Sequence, residues 1–182
     1  MIIKVTLASV LLAGSALITP IALAAGGNDG CTPTSTEVAS ADCRKPADAG
    51  GALPGADVAI ARAQRLVGRH GYYQLCARLA ANIWGRPRAG YFSAAAQWRQ
   101  MVATNNAHRG DRHPPTGALV FWETGGPYGH VAVYVGGGQI VSNDIGDEVP
   151  GEGGVYLVDF GLIESKWGAM YLGWTPPIYS TT

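Results

Sequence analysis

The sequence predicts an α+β domain, with helices first and an antiparallel β-meander after them. Three observations carry that expectation. Between residues 58 and 102, apolar side chains recur at helical spacing. From residue 117 onward the pattern changes to short apolar runs rich in valine and aromatics. Glycines separate those runs, most clearly Gly136-Gly137-Gly138, a strong hairpin signal. The chain of 182 residues is long enough for one ordinary domain. Its 13 basic and 13 acidic residues cancel, so no basic footprint argues for nucleic acid. A hydrophobic content of 47% excludes a disordered chain.

The first element is not part of the fold. After Lys4 comes the run VTLASVLLAGSALITPIALA, ending in Ala22-Leu23-Ala24. A positive start, an apolar stretch and a small-x-small end together predict an export signal over residues 1–24, cleaved near Ala24. Pro20 and the lack of a basic stop-transfer flank argue against a membrane anchor remaining after cleavage. The expected destination is outside the cytoplasm: periplasm, cell wall or medium. Residues 25–55 read as a Gly/Ala/Pro-rich leader without periodicity. Cys31 and Cys43 lie within it, and pairing them would close a short loop for about 3 kcal/mol.

The domain is expected over residues 56–182. Asp57 can cap a helix over 58–67, whose apolar side includes Ala59, Ala63, Leu66 and Val67. A second helix over 74–84 places Leu75, Leu79 and Ile83 on one stripe, and Gly85-Arg86-Pro87 stops it. Ser93 caps a third, in which Ala94, Trp98, Met101 and Val102 recur. After the polar loop NNAHRGDRHPPT, strands are expected over 117–122, 129–135, 139–144, 155–158 and 170–174.

Export makes the third cysteine informative, because an odd thiol is left over. Cys76 lies in the first turn of the second helix, where free N–H groups and the helix dipole favour a thiolate. The same N–H groups, with Cys76's own, suit part of an oxyanion hole, and Tyr73 or Gln74 could add a donor. His130 opens a strand in which Val131, Val133 and Val135 face the core, while His130 shares the other side with Ala132 and Tyr134. A helix-borne cysteine followed by a strand-borne histidine is an arrangement for nucleophilic catalysis.

A third group should hold the imidazole, and hairpin register selects it. A two-residue turn at Gly137-Gly138 pairs Gly136 with Gln139, sets Ala132 opposite Asn143, and puts Asn143 on His130's face. A three-residue turn puts Ser142 and Asp144 there instead. The two-residue turn is the commoner one, so Asn143 is the expected orienter. Tyr72, Tyr73, Tyr91 and Trp122 are candidates for a groove wall, although most such aromatics are core or rim. His108, Asp111 and His113 read as a solvated loop rather than a metal site, and His70 as a turn residue. No cofactor and no metal are expected.

The stretches YYQLCARLAANIWG, GALVFW, GHVAVYVGGGQIVSND and YLGWTPP, spanning roughly residues 56–177, resemble the secreted cell-wall cysteine peptidases of the NlpC type. They also resemble the neighbouring CHAP branch (cysteine, histidine-dependent amidohydrolase/peptidase). The resemblance implies a papain-like core, Cys76 as nucleophile, His130 as base, and cleavage of amide bonds in peptidoglycan stem peptides without a metal. Leu75-Cys76-Ala77-Arg78 stands where many NlpC-type enzymes have Asp-Cys-Ser-Gly, which leans towards CHAP or a less studied branch and leaves the bond cut open. Ser142 stands where the NlpC type commonly has a third histidine. Two rival readings use the same residues: a toxin aimed at competitors' walls, held in check by an immunity or inhibitor protein, and a degenerate domain that only binds wall peptides. A monomer is expected.

Overall fold

The computed structural model describes residues 51–180. The expected export signal at 1–24, and Cys31 and Cys43 with the expected leader up to residue 50, lie outside the described residues. No helix among the described residues is long and apolar enough to cross a membrane.

Three helices come first. Helix α1 (Ala56–Leu66) starts two residues earlier than Asp57 capping would allow. Its N-cap is Gly55 in the left-handed region (φ 78°), and Asp57 sits inside the first turn, where its charge opposes the helix dipole's positive end favourably. Helix α2 (Cys76–Ile83) is shorter than the apolar stripe suggests. Gln74 has φ 55°, so the helix cannot extend back through it, and Cys76 becomes the first helical residue. Helix α3 (Ala94–Ala103) begins as expected, with the Ser93 hydroxyl accepting the N–H of Ala96 at 3.1 Å.

The strands are β1 (His108–Arg109), β2 (Leu119–Glu123), β3 (His130–Gly136), β4 (Gln139–Asn143), β5 (Val155–Asp159) and β6 (Met170–Thr175). They form one antiparallel sheet in the order β1-β6-β2-β3-β4-β5. The expected meander therefore runs through β2 to β5, and β6 returns to the far side of β2. Helix α4 (Leu162–Trp167) and β1 escape the sequence reading. Six and two residues are too few to display a period, and β1 exists only through its pairing with Gly173 and Trp174.

The sheet is buried on both faces. On the helical side, Leu119, Phe121, Val131, Val133 and Val141 pack with Ala59, Ala63, Leu79, Ile83 and Trp98. On the other, Val120, Trp122, Ala132, Tyr134 and Ile140 pack with Ile145, Ile163, Tyr171 and Trp174. Burial on both sides explains why these strands read as continuous apolar runs rather than alternating ones. It also places His130 under a second layer, with only 5% of its surface exposed.

Candidate active site

The β3–β4 hairpin decides which side chain meets His130. Its turn is the two-residue one expected: Gly136 pairs with Gln139, and Gly137 and Gly138 take φ 61° and 75°, as a primed turn requires. Beyond the turn the register slips. Tyr134 pairs with Ile140 and Val133 with Val141, so Val135 is an extra residue, a β-bulge. Continuing that register sets Ser142 on His130's side of the sheet. The expectation for Asn143 is thereby corrected, since one residue of slip exchanges the faces. His130 Nε2 lies 2.8 Å from Ser142 Oγ, and both side chains are buried. Asn143 faces the helices, where its amide donates to the carbonyl of Tyr72 at 2.7 Å and to Asp144 Oδ2 at 2.9 Å.

Ser142 also suits one tautomer of the ring. Its hydroxyl can turn to the carbonyl of Asn143, 3.3 Å away, which leaves its oxygen able to accept the N–H of His130 Nε2. In that tautomer Nε2 carries the hydrogen, and Nδ1 keeps a lone pair. Burial pushes the His130 pKa down to about 3, so the imidazole is neutral at physiological pH. Trp167 presents its edge to the ring at a centroid distance of 4.9 Å, and Trp122 lies 6.1 Å away.

Cys76 stands at the start of α2, partly exposed. The backbone N–H groups of Val131, Ala77 and Cys76 itself lie close enough to its sulfur to favour the charged form. The Val131 donor is available because β3 and β4 have no paired residues beyond Val133 and Val141. Burial nevertheless raises the thiol pKa, and the nearby Asp144 carboxylate adds to the rise. The resting group is a thiol, where the helix position alone predicts a thiolate. Cys76 and His130 line one open groove of about 910 Å³, with no hydrogen bond between them.

The segment before Cys76 is held from across the sheet. Asp144 Oδ2 accepts the N–H of Gln74 at 2.9 Å, which commits that donor and removes it from an oxyanion hole. Gln74 and Asp144 both occupy the left-handed region, at φ 55° and 64°. Such conformations cost about 1–3 kcal/mol each for non-glycine residues, and they collect at functional sites. Asp144 Oδ1 is buried and has no hydrogen-bond partner among the described residues.

Of the aromatic candidates, Tyr73 and Tyr91 line the groove. Trp122 is buried in the core, and Tyr72 donates its hydroxyl proton to Asn82 Oδ1 at 3.0 Å. The sequence reading missed Phe92, Tyr128, Trp167, Arg78 and Arg88, which line the groove too. No spacing rule singles them out: loops bring Arg88, Phe92 and Tyr128 there, the short α4 brings Trp167, and Arg78 stands on the exposed side of α2. Outside the groove, Asp111 accepts the N–H of His113 and the indole N–H of Trp174, on which His108 stacks at 3.6 Å. His70 pairs with Glu152 at 3.1 Å.

The family model of the CHAP domain matches residues 67–143. The matched residues belong to the CHAP domain family. The match runs from the end of α1 to the last residue of β4 and contains Cys76, His130, Ser142 and Asn143. The α+β architecture, helices ahead of an antiparallel sheet, is that of the CHAP and papain-like fold. At the level of the family, the chemistry is hydrolysis acting on peptidoglycan. A comparison with curated proteins finds no match.

Proposed function

We propose that this CHAP domain is an exported thiol hydrolase that cleaves amide bonds in peptidoglycan stem peptides, with Cys76 as nucleophile and His130 as base. The observation that carries this reading is the 2.8 Å contact between His130 Nε2 and Ser142, at the groove that holds Cys76. Holding Nε2 leaves Nδ1 as the nitrogen able to accept a proton. On this reading residues 1–24 are the export signal, 25–55 a leader and 56–182 the catalytic domain.

The chemistry starts from two neutral groups. As the sulfur attacks the carbonyl carbon, its proton passes to His130 Nδ1, and the Cys76 N–H stabilises the oxyanion. Collapse breaks the C–N bond, and His130 returns the proton to the leaving amine. Water then attacks the thioester, gives its proton to His130, and releases the acid as the thiol re-forms. Ser142 keeps the ring oriented through both half-reactions and accepts a stronger, charge-assisted bond while the ring is an imidazolium. The test is muropeptide release from purified sacculi by the wild type and by Cys76→Ala. Release should be lost in the variant, and undiminished digestion would refute the proposal.

A further inference from the structure

The groove carries positive charge that the thiol–imidazole chemistry does not use. Arg78 and Arg88 both line it and both are exposed. Among the described residues neither has an acidic partner, as is true of every described arginine but Arg112, which lies outside the groove and grips Glu164 through two bonds of 2.7 and 2.9 Å. Arg78 also runs against local helix electrostatics. It is the third residue of α2, in a first turn with no acidic side chain, where the dipole disfavours a cation by about 0.3–1 kcal/mol. A residue that opposes its own helix at the lip of a site marks a demand from something other than folding.

Arg88 stands on a tied stretch of backbone. The Asn82 amide donates to the carbonyl of Arg86 at 2.8 Å, while its oxygen is held by the Tyr72 hydroxyl. On the other side, the carbonyl of the buried Ala89 accepts the N–H of Ser180 at 3.2 Å. The loop is therefore anchored on both flanks of the arginine, which lowers the entropy lost when its guanidinium engages a ligand. The groove's single carboxylate, Asp144, is engaged through Oδ2 by Gln74 and Asn143. Two exposed arginines thus line the groove without a counter-ion among the described residues.

We infer that the groove selects an acidic peptide, Arg78 and Arg88 pairing with free carboxylates on either side of the amide that Cys76 attacks. The inference rests on the proposed hydrolase reading and narrows its substrate class to stem peptides whose carboxyl groups are free rather than amidated. The physical basis is fork geometry: a carboxylate accepts both N–H groups of a guanidinium edge, whereas a carboxamide offers one oxygen and no charge.

The experiment pairs synthetic stem peptides that differ at one carboxyl, acid against carboxamide. Binding is measured by calorimetry on Cys76→Ala, and turnover on the wild type. At one carboxyl or more, the amide should bind about 10-fold more weakly, with the difference appearing in KM rather than kcat. Arg78→Gln combined with Arg88→Gln should erase the discrimination, and Arg88→Lys should restore part of it. Equal binding of every acid–amide pair, binding of no peptide, or discrimination that survives the double replacement overturns the inference. The two ideas fail separately. Selective binding without wild-type turnover removes the hydrolase reading and leaves the charge selection standing. Equal turnover of acid and amide does the reverse.

Discussion

Replacing Ser142 by alanine tests the orienting bond with little change in volume. The bond is short, 2.8 Å, and is shared by a histidine that is 5% exposed and a serine that is fully buried. Removing Oγ leaves a buried Nε2–H without a partner, which costs about 1–3 kcal/mol. The loss grows along the reaction, because the bond becomes charge-assisted once Nδ1 takes the thiol proton. The proton is also free to settle on Nδ1, which silences the base. A barrier increase of about 1.4–3 kcal/mol corresponds to a fall of roughly 10- to 100-fold in kcat. KM should stay near its wild-type value, since Ser142 lies beneath the imidazole and does not line the groove. Steady-state kinetics on a stem peptide measures the rate, and imidazole nitrogen shifts by NMR read the tautomer directly. A kcat within about twofold of wild type, with Nε2 still protonated, would remove Ser142 from the site.

The remaining predictions address the neighbouring residues. Asn143→Ala should lower stability by about 1–3 kcal/mol, through its lost bonds to Tyr72 and Asp144, while the His130 tautomer stays unchanged; a tautomer change would return the orienting role to Asn143. His130 has its pKa depressed to about 3 from an unfolded 6.5, so between those values the unfolded chain binds the extra proton. Stability should therefore be lost as pH is lowered through that window, at most by about 1.4 kcal/mol per unit from this group. Denaturant titrations at pH 7, 5 and 4 on the wild type and His130→Gln check this, and equal slopes for the two proteins would contradict it. Alkylation of Cys76 by iodoacetamide should keep accelerating past pH 9, because burial raises the thiol pKa; a plateau near pH 7 would indicate a resting thiolate. Gly153→Ala should destabilise by more than about 2 kcal/mol, read as a lower Tm, because Gly153 has φ 65° and a Cβ there would collide with the backbone N of Tyr73. An unchanged melt would mean that the Cys76 loop yields easily at this contact.

Local signals in the sequence translate directly into structure. Ser93 caps α3, Gly137-Gly138 makes the two-residue turn, and Cys76 opens its helix. Each depends on a few adjacent residues. The orienting residue depends instead on a bulge at Val135, which no turn rule exposes, because a bulge is set by how two strands accommodate each other and their twist. The same limit applies to the setting of His130. Alternation in GHVAVYV separates the two faces correctly, yet it reads the histidine side as the open one. That side is covered by Ile163, Tyr171 and Trp174, some 30 to 45 residues later in the chain by sequence number, and Trp167 from the unanticipated α4 abuts the ring. Neutral, depressed His130 is a consequence of that distant cover and not of its own strand.

Three consecutive residues at the end of β4 divide the assembly of the site among themselves. Ser142 points to one face of the sheet and holds His130; Asn143 points to the other and holds the carbonyl of Tyr72. Asp144, strained at φ 64°, turns off the strand and holds the N–H of Gln74, itself strained two residues before Cys76. Nucleophile and base sit on different elements, and this one tripeptide braces the segment leading to the first while orienting the second. Its alternation is fixed by the strand, so the assignment of all three roles depends on β4 register. The bulge at Val135 sets that register against β3. Without the extra residue, Ser142 and Asn143 would exchange faces, and the base and the loop before the nucleophile would lose their partners together. Removing Val135, five residues along β3 from His130, would then disable the site without touching either reacting group.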